Sequence, residues 1–272
     1  MISFPAIDPV AIAIGPLKIH WYGIAYVVGI LLACHWAHGL IKRFPFSITH
    51  KQFDDLLPYA VVGIVVGGRL GHTMFYDPAY YLSHSLEILQ VWKGGMSFHG
   101  GLLGVVIMAI LYTKRHHLNF YQLADLMALI SPIGLFFGRS ANFINAELYG
   151  IETSLPWGVV FPKQLVARHP TQIYEAFLEG LVLFLALNLL YKKFQKLRTC
   201  KGLTGCLFLS LYALFRLCVE PFKVQEVVVQ LGTHRLGVGI ILCMLMLLLS
   251  TVLIMLRLRA CRTISGSTAP LL

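Results

Sequence analysis

The chain has 272 residues, 57% of them hydrophobic and only 12% charged, with a mean hydropathy of +0.74. That balance excludes an ordinary soluble domain, in which about 25% of residues are charged, and predicts a polytopic membrane protein. A net charge of +10 would suit a nucleic-acid partner, but the basic residues lie between apolar runs rather than along one face, so no nucleic acid is expected and membrane topology accounts for them.

In chain order, Met1 to Lys18 carries Pro5, Asp8 and Pro9 and has no basic residues ahead of its apolar ones. No cleaved signal peptide is expected, and the first span is expected to serve as the address. Seven stretches approach the 20 or so apolar residues a crossing helix needs: Trp21–Ile41, Asp55–Tyr76, Ser97–Tyr112, Tyr121–Asn142, Tyr174–Tyr191, Leu203–Pro221 and Leu236–Leu256. With Met1 outside, the inner segments hold thirteen Lys and Arg and the outer ones six, while Arg69, Arg139 and Arg216 fall within or at the edge of spans. Positive charge favours the cytoplasmic side, so the N-terminus is expected outside and the C-terminus inside.

The expected fold is an all-α polytopic membrane protein, one catalytic domain over residues 1–262 with a fraying polar tail at 263–272. Outer connections at about 77–96, 148–173 and 222–235 are the longer ones. Loops of that kind carry function. Six cysteines show neither a CxxC pair nor Cys/His ligand spacing, so neither a structural disulfide nor a metal site is expected.

Polar residues inside the spans carry the chemistry. His20-Trp21-Tyr22-Gly23 opens the first span, where interfacial aromatics are routine. Gly63, Gly67 and Gly71 bare one face of the second for close helix packing. Arg69 among them reads equally as an internally paired arginine or as part of a lipid site. Five glycines between Gly94 and Gly104 surround His99, whose imidazole would suit proton abstraction from a thiol near neutral pH.

Gly138–Gly150 follows an apolar run and concentrates Arg139, Asn142, Asn145 and Glu147. A continuous helix could not bring these to one face at about 100° per residue, so the helix is expected to end or unwind within the motif. A capped end with Arg139 paired to Glu147 is the plainer alternative. Arg168–Glu175 brings a polar cluster to the fifth span, and Glu179 follows one turn on. In the sixth, Tyr212, Arg216 and Glu220 share a face, and Arg216–Glu220 could be a simple i,i+4 pair. Two intramembrane arginines on separate helices, Arg139 and Arg216, fit a phosphate ester better, because each guanidinium presents a planar fork to its oxygens.

These motifs together resemble the prolipoprotein diacylglyceryl transferase family over nearly the whole chain. The resemblance is carried by residues 20–23, Gly67-Gly68-Arg69-Leu70-Gly71, the run 94–101, the signature 138–150, Arg168–Glu175 and the Tyr212/Arg216/Glu220 face. It implies seven transmembrane helices with a periplasmic head and arm in the bacterial inner membrane. The implied reaction moves the diacylglyceryl group of phosphatidylglycerol to the lipobox cysteine of a prolipoprotein signal peptide, forming a thioether and releasing glycerol phosphate. It also implies activity at His99, Arg139, Asn142, Glu147 and Arg216, a role for Tyr22, and no cofactor or metal.

On that reading Arg139 and Arg216 grip the phosphate, His99 takes the thiol proton, and Asn142 and Glu147 orient the headgroup or the arginines. Tyr22, Arg69, Tyr212 and Glu220 are expected to complete the lipid site. Two positions depart from the family pattern: His72 stands where Tyr is common, and Lys223 where Arg often follows the sixth span. An anionic-lipid transporter or flippase would also want membrane arginines, but the chain has no inverted repeat. An intramembrane hydrolase would need motifs such as GxSxG or HExxH that are missing here.

Overall fold

The computed structural model describes residues 2–5, 7–15, 17–75, 78–91, 94–225, 228–231 and 234–266. Its elements are β1 (Ile2–Ser3), β2 (Val10–Ile14), β3 (Leu17–His20), α1 (Trp21–Arg43), α2 (His50–Phe75), α3 (Pro78–Ser83), α4 (Phe98–Arg115), α5 (Phe120–Ile144), β4 (Val159–Val160) and α6 (Thr171–Glu175). A π-helical turn, Ala176–Val182, joins α6 to α7 (Leu183–Lys193), followed by α8 (Gln195–Thr199), α9 (Leu203–Val219), β5 (Val228–Leu231), β6 (His234–Gly237) and α10 (Val238–Gly266).

Among the described residues, five helical runs are long and apolar enough to cross a membrane: Trp21–Arg43, Phe120–Ile144, Thr171–Lys193, Leu203–Phe222 and Val238–Arg262. The expected second and third spans exist as helices α2 and α4 but fall outside this set. In α2 the apolar run shares its 26 residues with Lys51, Asp54, Asp55, Arg69 and several glycines. α4 has only 18 residues and ends on Lys114 and Arg115. The last helix outruns its expected end at Leu256 and continues to Gly266, so the tail expected to fray from Thr263 begins as helix; residues 267–272 lie outside the described residues.

The chain divides into two compact units, Ile41–Leu123 and the remainder, Met1–Leu40 with Ala124–Leu272. In the first, α2 and α4 meet backbone to backbone. A Cβ on Gly71 would stand 2.7 Å from Gly100 Cα, and one on Gly63 would stand 2.7 Å from Gly104 O. α2 starts in a reciprocal cap, with Gln52 N donating to Thr49 Oγ1 (3.2 Å) and Thr49 N to Gln52 Oε1 (2.9 Å). α4 starts at Ser97, whose N–H donates to Gly68 O (2.8 Å) and whose hydroxyl accepts from Gly100 N (3.2 Å).

In the larger unit α9 and α10 pack along each other, with Ser210 donating to the fully buried Ser250 at 2.8 Å. Asn188 on α7 donates to Leu129 O of α5 (3.0 Å) and accepts from Trp36 Nε1 of α1 (2.9 Å). At the start of α5 the buried Asp125 accepts from Gly202 N (2.6 Å) and Gly205 N (2.8 Å), so one carboxylate caps α9 and ties it to α5. The N-terminal stretch is not helical: β1 pairs in parallel with β4, and Phe4 sits between Phe143 and Phe161, each ring 5.4 Å away.

One expectation about cysteine fails. Cys200 and Cys261 form a disulfide, 61 residues apart in sequence, because the turn before α9 comes beside the far end of α10 with the two Cα atoms 5.8 Å apart. No local spacing rule could have signalled it.

Candidate active site

Arg139 lies on α5 five residues before the helix ends. Beyond Ile144 the backbone turns back on itself: Ala146 and Leu148 take positive φ of 55° and 58°, and Glu147 N donates to Asn142 O at 3.0 Å. The helix therefore ends inside the 138–150 motif, as its periodicity required. The reversal carries the Glu147 side chain to Asn142, whose Nδ2 donates to Glu147 Oε1 at 2.6 Å. Glu147 thus joins Asn142, and Arg139 pairs elsewhere.

Its partners stand on the helical run that begins at Thr171. Arg139 Nε is 3.2 Å from Glu175 Oε2, and its Nη2 is 3.8 Å from Glu179 Oε2. Both carboxylates are completely buried. Glu179 lies in the π-helical turn, a widened geometry frequent at functional sites. Gly180 beside it touches α5 directly, since a Cβ there would stand 2.7 Å from Phe136 Cβ. That contact lets α5 approach closely one turn below Arg139.

Arg216 reaches the same carboxylates from α9. Its Nη1 bonds Glu175 Oε1 and lies 3.6 Å from Glu179 Oε1, while its Nε is 3.0 Å from Glu220 Oε2. The i,i+4 pair with Glu220 therefore exists, but as one edge of a larger cluster. Tyr212, one turn earlier on α9, lies within the electrostatic reach of Glu179 and Arg216. Glu220 in turn presses on α10, because a Cβ on Gly239 would collide with its Oε1.

Lys223 completes the group, its Nζ donating to Glu175 Oε1 at 2.6 Å. Three cations thus face three carboxylates, with the cations retaining 14–20% of their side-chain exposure and Glu175 and Glu179 none. The pairing is uneven. Among the described residues, Glu175 Oε2 and both Glu179 oxygens accept no aligned hydrogen bond, so Arg139 is held by charge alone while Arg216 is bonded.

On α1, Tyr22 Oη lies 3.2 Å from Tyr26 Oη, and the Tyr22 hydroxyl also meets the Asn142 side chain. The polar file Tyr26–Tyr22–Asn142–Glu147 therefore runs beside Arg139 on α5. Within the 148–173 connection, the buried His169 has Nδ1 3.2 Å from Tyr174 Oη, which accepts from Trp157 Nε1 at 2.9 Å. Burial lowers the His169 pKa from its ordinary 6.5.

Two expected site residues belong to the smaller unit. Arg69 is 3% exposed and spends its guanidinium on backbone carbonyls: Nε donates to Ile88 O (2.8 Å), Nη1 to Gly94 O and Gly95 O, and Nη2 to Glu87 O. Its Cζ also lies 5.1 Å from the centre of the Tyr81 ring. This is the geometry of an internally paired arginine. His99 is the second residue of α4, and its side chain lies outside the described residues. No group of three or more potential metal ligands occurs among the described residues.

Sequence reasoning passed over Glu175, Glu179, Lys223 and Tyr26 as members of the site. The one available signal for the two glutamates was their i,i+4 spacing inside an apolar run, where unpaired carboxylates are costly.

Comparison with known proteins agrees in one direction. The family model described as prolipoprotein diacylglyceryl transferase matches residues 9–256. A protein of Rickettsia akari (strain Hartford), named phosphatidylglycerol–prolipoprotein diacylglyceryl transferase, is 47% identical over 253 residues, 93% of this chain and 97% of the relative. The proteins of that name from Rickettsia bellii (strain OSU 85-389) and Rickettsia felis are 48% and 47% identical, over 93% of this chain and 96% and 97% of theirs.

Proposed function

Because the chain belongs to the prolipoprotein diacylglyceryl transferase family, we propose that the cluster around Glu175 is where it receives the phosphate of phosphatidylglycerol. The family's reaction is the first step of lipoprotein maturation. In it a cysteine sulfur attacks the glycerol carbon, the C–S bond forms as the C–O bond to phosphate breaks, and glycerol phosphate leaves with the electron pair. The acceptor is proposed as the lipobox cysteine of a prolipoprotein signal peptide.

One observation carries the site: guanidiniums from α5 and α9 converge on a single buried carboxylate. A phosphate ester offers those guanidiniums more oxygens than the carboxylate does, and charge growing on the leaving group gives them reason to turn to it. Arg139, whose ion pairs are the looser, is the readier of the two to turn toward the lipid. The Asn142–Glu147 pair and Tyr22 orient the headgroup glycerol through hydrogen bonds, and Tyr212 and Glu220 hold Arg216 in place. His99 is proposed as the base from the family resemblance alone.

Seven spans with the N-terminus outside, in the bacterial inner membrane, are proposed from the charge asymmetry of the loops together with α2 and α4 as two further crossings. The test is direct: purified protein with phosphatidylglycerol and a lipobox peptide, following peptide mass and glycerol phosphate. A diacylglyceryl adduct on the peptide is expected, none on a Cys→Ser peptide, and none with Arg139→Ala. Full activity of Arg139→Ala would overturn the site.

A further inference from the structure

Glu175 is shared by three cations, yet only two of them have the geometry to receive a phosphate. Arg139 faces Oε2, while Arg216 and Lys223 both contact Oε1. If the arginines turn to an incoming anion, this completely buried carboxylate loses two of its three partners. A buried charge left unpaired is strongly destabilising, so Glu175 would hold the arginines back unless a counter-charge remained.

Lys223 is built to be that charge. An ammonium is a compact point donor rather than a fork, adequate for one carboxylate oxygen and poor for bidentate phosphate. Its place is set independently of both arginine side chains. Residue 223 bridges Gly150 in an antiparallel pair, Ile151 N donates to Phe222 O at 2.9 Å, and Lys223 N donates to Glu220 O at 3.1 Å. Gly150 has no room for a side chain there, since a Cβ would stand 2.6 Å from Thr171 Cγ2. The end of the 138–150 motif thus aims the lysine at Glu175.

Resting on the phosphate reading above, we infer that Lys223 is a positioning residue that keeps Glu175 neutralised when Arg139 and Arg216 transfer to the anionic headgroup. Lys223 itself does not touch the lipid. Its difference from the arginine common at this position then costs nothing in recognition, because the task needs charge and not a fork.

The full-length protein, assayed with phosphatidylglycerol in mixed micelles and a lipobox peptide, tests this through KM and kcat. Lys223→Gln is expected to raise KM for phosphatidylglycerol about ten-fold with kcat within about two-fold, the sign of weakened ground-state binding. Lys223→Arg should recover most of that loss. In a Glu175→Gln background the carboxylate is gone, so adding Lys223→Gln should change KM by less than about two-fold.

An unchanged KM in Lys223→Gln would overturn the inference, as would an equal rise in both backgrounds, which would mean direct lipid contact. Should Lys223→Gln fail to fold, the comparison of Glu175→Gln with the double variant decides alone, since neither contains the buried carboxylate. Arg216→Gln separates the two levels: an unchanged KM there would sink the phosphate reading itself. A raised KM in Arg216→Gln beside a normal Lys223→Gln would sink only the role given to Lys223.

Discussion

Asn142 and Glu147 are five residues apart and joined side chain to side chain at 2.6 Å, a contact an unbroken helix would not make. The positive φ angles at Ala146 and Leu148 create it. A hydrogen bond to a charged group contributes about 1.5–3 kcal/mol, so Asn142→Ala, which removes the donor, is expected to cut kcat/KM by at least about ten-fold. Glu147→Gln keeps an acceptor oxygen and should lose less. Steady-state kinetics of the two variants checks the order.

Gly180 meets Phe136 with no space for a methyl group. Gly180→Val should force α5 away from the π-helical turn, costing about 1–3 kcal/mol of stability. Activity should fall as well, because Arg139 is displaced from Glu175 and Glu179. Thermal unfolding in detergent and the transfer assay report the two effects separately.

Arg69 holds carbonyls of residues 87, 88, 94 and 95. Arg69→Ala removes the one side-chain donor that those four part-buried carbonyls share. Faster proteolytic cleavage between residues 84 and 97 is expected, with KM for phosphatidylglycerol unchanged within about two-fold. A KM rise with normal protease resistance would instead return Arg69 to the lipid site.

His169 loses its charge more readily folded than unfolded, because burial lowers its pKa from 6.5. The folded state then binds fewer protons than the unfolded chain as pH drops, so the stability this ring contributes is present above about 6.5 and lost below it. His169→Gln should flatten the fall in melting temperature between about pH 7 and pH 5 while lowering stability at neutral pH. An identical slope in both proteins would exclude the ring as its source.

Hydropathy made the long helices legible, and charge inside apolar runs singled out Arg139 and Arg216. Their mutual partner was not legible. Glu175 stood out only as one of several polar residues near Pro170, and nothing in a single sequence says which helix faces which. The π-helical turn has no periodicity of its own, and Tyr26 looks like any interfacial aromatic until its hydroxyl is seen against Tyr22. α2 and α4 illustrate the converse: the glycines that let their backbones touch also dilute their hydropathy, and neither helix is among the five long apolar runs.

The Asp125 clamp has a consequence at the opposite end of the helices it joins. Arg139 stands fourteen residues beyond Asp125, and Arg216 fourteen residues beyond Gly202, which donates to that same carboxylate. At 1.5 Å per residue each arm is about 21 Å long, so the two guanidiniums arrive level. Deleting one residue from either arm would rotate its arginine by about 100° and lower it by about 1.5 Å, enough to break the joint hold on Glu175. The spacing of the two forks is thus gauged from a point far from any lipid headgroup.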